Sequence, residues 1–86
     1  MLDTTFIPAE GRTVVFQIAE GQFRPAQIVR AWGQEHSSAV NLLVFLDGSK
    51  DNRYSPDQFG TINGWTLWAT SRTQGEAVGQ WLVRKP

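Results

Sequence analysis

The segment Ala39 to Leu46, AVNLLVFL, lies between a polar loop, Gly33 to Ser38, and an Asp47-Gly48-Ser49 turn. A run this short, bounded on both sides by turn residues, has strand length rather than helix length. On a strand Val40, Leu42, Val44 and Leu46 point to one face, and Asn41, Leu43 and Phe45 to the other. Both faces are therefore largely apolar, whereas a sheet with one wet face would alternate. The N-terminal arm, the 50–58 loop or a second copy could cover the second face. An 86-residue chain has little spare material, so the expectation is a homo-oligomer.

Shorter strands add to this one. Arg12 to Ile18, RTVVFQI, is β-branched and aromatic. Glu20-Gly21-Gln22 is a turn, and Arg24 to Trp32 forms the strand that pairs with Ala39 to Leu46 through the 33–38 loop. Pro25 has no amide to donate, which places it at a strand start or on an edge. Lys50 to Phe59 is polar, contains Pro56, and reads as an ordered loop. Asn63-Gly64 is a strong hairpin signal, joining Phe59–Ile62 to Trp65–Ser71. Arg72 to Gly79 is a loop and Trp81 to Val83 a last short strand. Residues 1–11 form an arm in which Thr4 to Ile7 can pair as an edge strand, and residues 84–86 a frayed tail. No helical period exceeds one turn. The expectation is a single all-β domain, 1–86, built as a small five- to six-stranded SH3-like barrel or a compact sandwich.

Charge and composition narrow the function classes. Eight basic residues balance eight acidic ones. A broad grip on nucleic-acid phosphates normally shows a basic excess, so a nucleic-acid partner is not expected. The chain has no cysteine, which removes disulfides, thiolate chemistry and cysteine zinc sites. The longest apolar run, Leu42 to Leu46, is far too short to span a membrane. The N-terminus has no signal-peptide pattern. A soluble cytosolic protein is expected.

The residues Arg24-Pro25-Ala26, Ile28-Val29-Arg30 and Trp32 are followed by Val40-Asn41-Leu42, Val44-Phe45, Asp47-Gly48-Ser49 and Asp51. Leu67-Trp68-Ala69-Thr70-Ser71 and Gly79-Gln80-Trp81 come later. Over roughly residues 12 to 82 this resembles a group of small uncharacterised proteins encoded by tailed bacteriophages and prophages. Their features are an R-x-A-x-I-V strand, a V-N-L-x-V-F-x-D-G-S-x-D strand and turn, and a Trp near the C-terminus. That group often ends G-T-W-x-W-P, whereas here Gly79-Gln80-Trp81-Leu82-Val83 lacks the second Trp. The resemblance implies a phage origin, hence action in the host bacterial cytoplasm, and a non-enzymatic role.

Candidate chemistry is sparse. Asp47, Ser49 and Asp51 have the first three spacings of a calcium loop, but Asn52 and Gln58 stand where that loop needs Gly and Glu, so a side-chain-capped turn is preferred. His36 sits among loop residues with no visible catalytic partner. Neither a metal nor a cofactor is expected. Arg30, on one face with Ile28 and Trp32, and Asn41, inside an apolar strand, each require a partner if buried. They belong either to an internal network with Asp47 or Glu35, or to a pocket. In the pocket Arg30 would hold phosphate, Trp32 would stack on a base, Asn41 would read its edge, and Arg53 or Arg72 would close the site. Trp65 and Trp68 are three apart and face opposite sides of a strand. One is expected in the core, the other exposed, covered by a loop or in an interface, where Trp is a favoured anchor. The first functional expectation is a non-catalytic phage interaction or accessory assembly protein with a host or phage protein partner. The alternatives are an oligomeric binder that sequesters a nucleotide signal and counters host defence, and a minor virion component.

Overall fold

The computed structural model describes residues 2–3 and 6–84. Among the described residues seven strands occur: β1 (Leu2–Asp3), β2 (Thr13–Ala19), β3 (Gln22–Ala31), β4 (Val40–Phe45), β5 (Gly60–Asn63), β6 (Thr66–Arg72) and β7 (Trp81–Arg84). Six form one antiparallel sheet in the order β7-β2-β3-β4-β6-β5, and the two-residue β1 extends it beyond β7. The sheet curls into a barrel-like sandwich without closing. Beyond β6 the chain crosses to the opposite end of the sheet, where Gln74 makes a single parallel bridge to Trp81. Gly75 N–H donates to the Trp81 carbonyl there at 2.9 Å.

The inner face is the core. Val14, Phe16 and Ile18 of β2, Ala26 and Ile28 of β3, and Val40, Leu42 and Val44 of β4 are buried, joined by Leu46, Leu67, Ala69 and Trp81. This is the period-2 pattern read from AVNLLVFL, and the same pattern on β2 and β3. The core tryptophan is Trp81. Its ring has no solvent exposure, it takes Phe6 edge-on at 6.1 Å, and its indole N–H donates to the Arg72 carbonyl at 3.1 Å. Neither Trp65 nor Trp68 is in the core, contrary to the expectation that one would be. Asn63 pairs with Thr66 to close the hairpin, so the two turn residues are Gly64 and Trp65. Trp65 is a turn residue rather than a strand residue, and alternation counted from it has no meaning. Gly64 has φ +63°, the positive value needed at the first central position of a type II′ turn.

Four further features compare with the sequence reading, and the first, Pro25, has the edge position that reading required. Pro25 lies inside β3, yet β3 pairs with β4 only from Ala26 onward. At Pro25 the strand has a partner on one side alone, and the missing amide is tolerated. The 50–59 segment is not irregular. It forms two 3₁₀-helices, Gly48–Tyr54 and Pro56–Phe59, the second with Pro at its first turn. A 3₁₀ run has no 3.6-residue period to reveal it. Arg84 belongs to β7, where it pairs with Leu2. The edge strand proposed for Thr4 to Ile7 falls partly outside the described residues, and Phe6 and Ile7 are not in a strand. Among the described residues no helix is long and apolar enough to cross a membrane.

Candidate functional site

A β-bulge at the end of β3 determines where the candidate residues point. The β3–β4 register shifts between Ile28 and Arg30, and the β4–β6 register shifts between Val40 and Leu42. Ile28 is buried while Val29 and Arg30 are both exposed. Arg30 therefore does not share a face with Ile28, because the extra residue of a bulge breaks strict alternation. Its guanidinium lies 4.3 Å from the centroid of Trp32. The Trp32 indole N–H donates to Asn41 Oδ1 at 3.2 Å, and the same oxygen accepts the Ser71 N–H at 3.1 Å. Ser71 has φ +55°, an uncommon conformation for a non-glycine residue, and its amide is turned to Asn41. Arg30, Trp32 and Asn41 thus come together as the sequence suggested. Neither Asp47 nor Glu35 takes part.

Asn41 is the hinge of this group. Asn41→Ala removes the acceptor for both Trp32 and Ser71. The expected result is faster solvent exchange of the Trp32 indole proton in NMR spectra and a stability loss of about 1 kcal/mol.

Trp32 also lines a groove of about 550 Å³ between the arm, Ile7 to Glu10, and the end of β3 with the loop after it, Ala31 to Gln34. Glu10 accepts the Ala31 N–H at 2.9 Å through Oε2. That bond, then the carboxylate's own backbone amide and the charge of Arg30, hold Glu10 below the usual carboxylate range. The two walls are tied by one side chain. Gln74 Nε2 donates to the carbonyls of Phe6, in the arm, and His36, in the loop, each at 3.0 Å. Glu10 and Gln74 were not singled out from the sequence. Gln74 is 68 residues from Phe6 in the chain, and no local pattern encodes such a contact.

A second surface is the outer face of the sheet. One row across it runs Thr13, Gln27, Leu43, Trp68, Thr61. The next includes Phe45, Thr66 and Asn63. Trp68 is 38% exposed, Phe45 42% and Trp65, in the adjoining turn, 73%.

The remaining sequence candidates lie elsewhere. Arg53 is in the first 3₁₀-helix with its guanidinium over Tyr54. Arg72 lies over Phe59, which packs edge-on against the core Phe16. Its Nε is buried without a hydrogen-bond partner among the described residues. Arg72 is therefore on the inner side of the sheet, and neither arginine closes a site with Arg30. Asp51 is not turned outward towards a cation. Its two oxygens take Arg24 in a bidentate pair at 2.6 and 2.7 Å, and Oδ2 also accepts the Asp47 N–H at 2.7 Å. His36 is exposed in its loop.

Fold and surfaces together define a small antiparallel barrel-like domain with two exposed features: a sheet face carrying Leu43, Phe45 and Trp68, and a groove lined by Trp32. No protein-family model, curated protein or solved structure matches the chain.

Proposed function

We propose that the chain is a non-catalytic interaction protein whose outer sheet face pairs with a second copy of itself. The observation that carries this reading is the stripe of Leu43, Phe45 and Trp68, with exposed Trp65 in the adjoining turn, on a face that the domain does not need for its own core. The inner face already supplies a filled core, with Phe16, Leu42, Val44 and Trp81 at zero exposure. Large exposed aromatic side chains grouped on one face mark binding surfaces.

The polar residues of the same face argue for a copy rather than an unrelated protein. Thr13, Gln27, Thr61, Asn63 and Thr66 are all uncharged. A two-fold contact sets each patch against itself. A charge near the axis would meet its own sign, and the two rows that hold Trp68 and Phe45 present none; the exposed Arg30 lies beyond them, towards the end of β3. The resemblance to phage proteins supports action in the host bacterial cytoplasm, with a host or phage protein, or a place in the virion, as the other claims on the same face.

Sedimentation velocity over a range of concentrations tests this. The wild type is expected at twice the chain mass at micromolar concentration. Phe45→Ser with Trp68→Ser is expected to raise the dissociation constant at least about 30-fold, as loss of an interface anchor does. Melted at a concentration where both are monomeric, the variant should stay close to wild type, because neither residue is in the core. A wild type that stays monomeric into the submillimolar range would remove the proposal.

A further inference from the structure

The groove walled by Ile7 to Glu10 and Ala31 to Gln34 has features that the outer-face rows lack: walls tied by hydrogen bonds, and a carboxylate, Glu10, in its lining. We propose that it is a docking site for a basic, extended peptide segment of a partner protein, taking a Lys or Arg against Glu10 and a neighbouring aliphatic side chain against Trp32 and Ile7. This goes beyond the pairing of copies and uses none of Leu43, Phe45, Trp65 and Trp68.

The groove is held in shape by the chain itself. Gln74 Nε2 donates to two carbonyls that adjoin the walls, that of Phe6 just before Ile7 and that of His36 two residues beyond Gln34. The Glu10 carboxylate is pinned to the Ala31 amide, and Trp32 is held at its indole nitrogen by Asn41. At the other end of the arm, Gly11 N–H donates to the Ile28 carbonyl at 2.7 Å. A site whose walls are already placed loses little ordering entropy when it binds.

Its chemistry selects the ligand. The groove walls carry one charged side chain, Glu10, which is exposed to an incoming cation. Ile7 and Trp32 are 50% and 56% exposed, so apolar surface flanks that charge. A lysine or arginine beside an aliphatic residue satisfies both, and an indole face adds attraction for a cation. Arg30, the residue best suited to a phosphate, packs on Trp32 and is not part of the groove lining. An anion entering the groove would meet Glu10. The geometry therefore favours a basic peptide over a nucleotide, and Arg30 is the residue that separates the two.

The test uses three probes on the full chain: a blocked alternating Lys-Leu peptide, the matching Glu-Leu peptide, and a purine mononucleotide. Binding is read from the Trp32 indole resonance. The Lys-Leu peptide is expected to bind and the other two not. Glu10→Gln is expected to weaken the Lys-Leu peptide about three- to fivefold, the scale of an exposed charge pair, and to flatten its salt dependence. Arg30→Ala should leave its affinity unchanged or raise it. Gln74→Ala should weaken it although Gln74 makes no ligand contact, by letting the walls separate. Glu10 is fully exposed, so its substitution leaves the fold intact even if Gln74→Ala does not. Equal binding of the two peptides, failure of the Lys-Leu peptide to move the Trp32 resonance, or nucleotide binding lost on Arg30→Ala would each overturn the proposal. A monomeric chain that still binds the Lys-Leu peptide would sink the pairing of copies and leave this site standing.

Discussion

Asp51→Ala is expected to destabilise the domain by about 3 kcal/mol, the lower end of the cost of breaking a buried ion pair. Asp51 is 1% exposed. It is held by the Arg24 guanidinium through two bonds, and by the Asp47 amide at the start of the 3₁₀ segment. Its removal strands the Arg24 charge, whose side chain is only 18% exposed, and an amide with no replacement acceptor. The lower end of the range is appropriate because Arg24 retains some contact with water. In a domain of this size that loss lowers the melting temperature by about 15 °C, readable by circular dichroism. Removing both partners as Arg24→Met with Asp51→Leu should recover part of it, because no charge is then left unpaired. The pH dependence has a definite sign. Hydrogen bonding from Arg24, then the Asp47 amide, holds the Asp51 pKa below its ordinary value. A carboxylate depressed in the folded state contributes its stability in full above the unfolded value of about 3.9, and loses it as pH falls through the lower folded value. Wild type should therefore lose stability through this acid range by a component that Asp51→Asn does not show. Superimposable acid-unfolding curves for the two would remove the pair from the account.

The same residue shows where sequence reasoning stops. In sequence Asp51 belongs to an Asp-x-Ser-x-Asp run, which suggests a turn or a cation loop. Its partner Arg24 is 27 residues away, and only the curl of β3 towards the segment after β4 brings the two together. By contrast, the inward set Val40, Leu42 and Val44 was legible, because strand alternation is local and each of the three is buried. So was the direction of Phe45, on the face opposite to that set. Alternation failed at the two bulges. Arg30 was placed with Ile28 by counting in twos, and one extra residue turned it outward onto Trp32. It failed again at Trp65, where the turn took Gly64 and Trp65 rather than Asn63 and Gly64. Of the proposed site, Arg30, Trp32 and Asn41 were legible because each stood out on its own strand. Arg53 and Arg72 were not separable from them, since nothing local says which side of a curled sheet a cation reaches. Glu10 and Gln74 acquire a role only once the arm crosses the end of β3.

Gly60→Ala is expected to cost about 3 kcal/mol, the upper end of an overpacking penalty, although it adds one methyl group. The backbone of Gly60 is extended, with φ 163°, so the substitution brings no conformational strain of its own. The obstacle is the neighbouring strand. A Cβ at Gly60 would stand 1.8 Å from the Trp68 carbonyl oxygen and 3.2 Å from the Ala69 Cα. Both are main-chain atoms of β6, held in the ladder, and no rotamer change can clear them. Relief requires β5 to move away from β6, which breaks the Gly60–Ala69 and Thr61–Trp68 pairs first. It also disturbs Phe59, which precedes Gly60, packs edge-on against Phe16 and carries the Arg72 guanidinium over its ring. Hydrogen exchange should show the amides of Thr61 and Ile62 losing protection ahead of those of β2 and β3, with a fall in melting temperature of about 15 °C. The consequence reaches the outer face. Thr61 and Asn63 end the two rows that contain Trp68 and Phe45, so displacing β5 strips the border from the apolar stripe and self-association should weaken together with stability. If Gly60→Ala melts like wild type and keeps its β5 amides protected, the close approach of the two strands is not a constraint on the fold, and the placement of β5 as the border of the outer face would have to be given up.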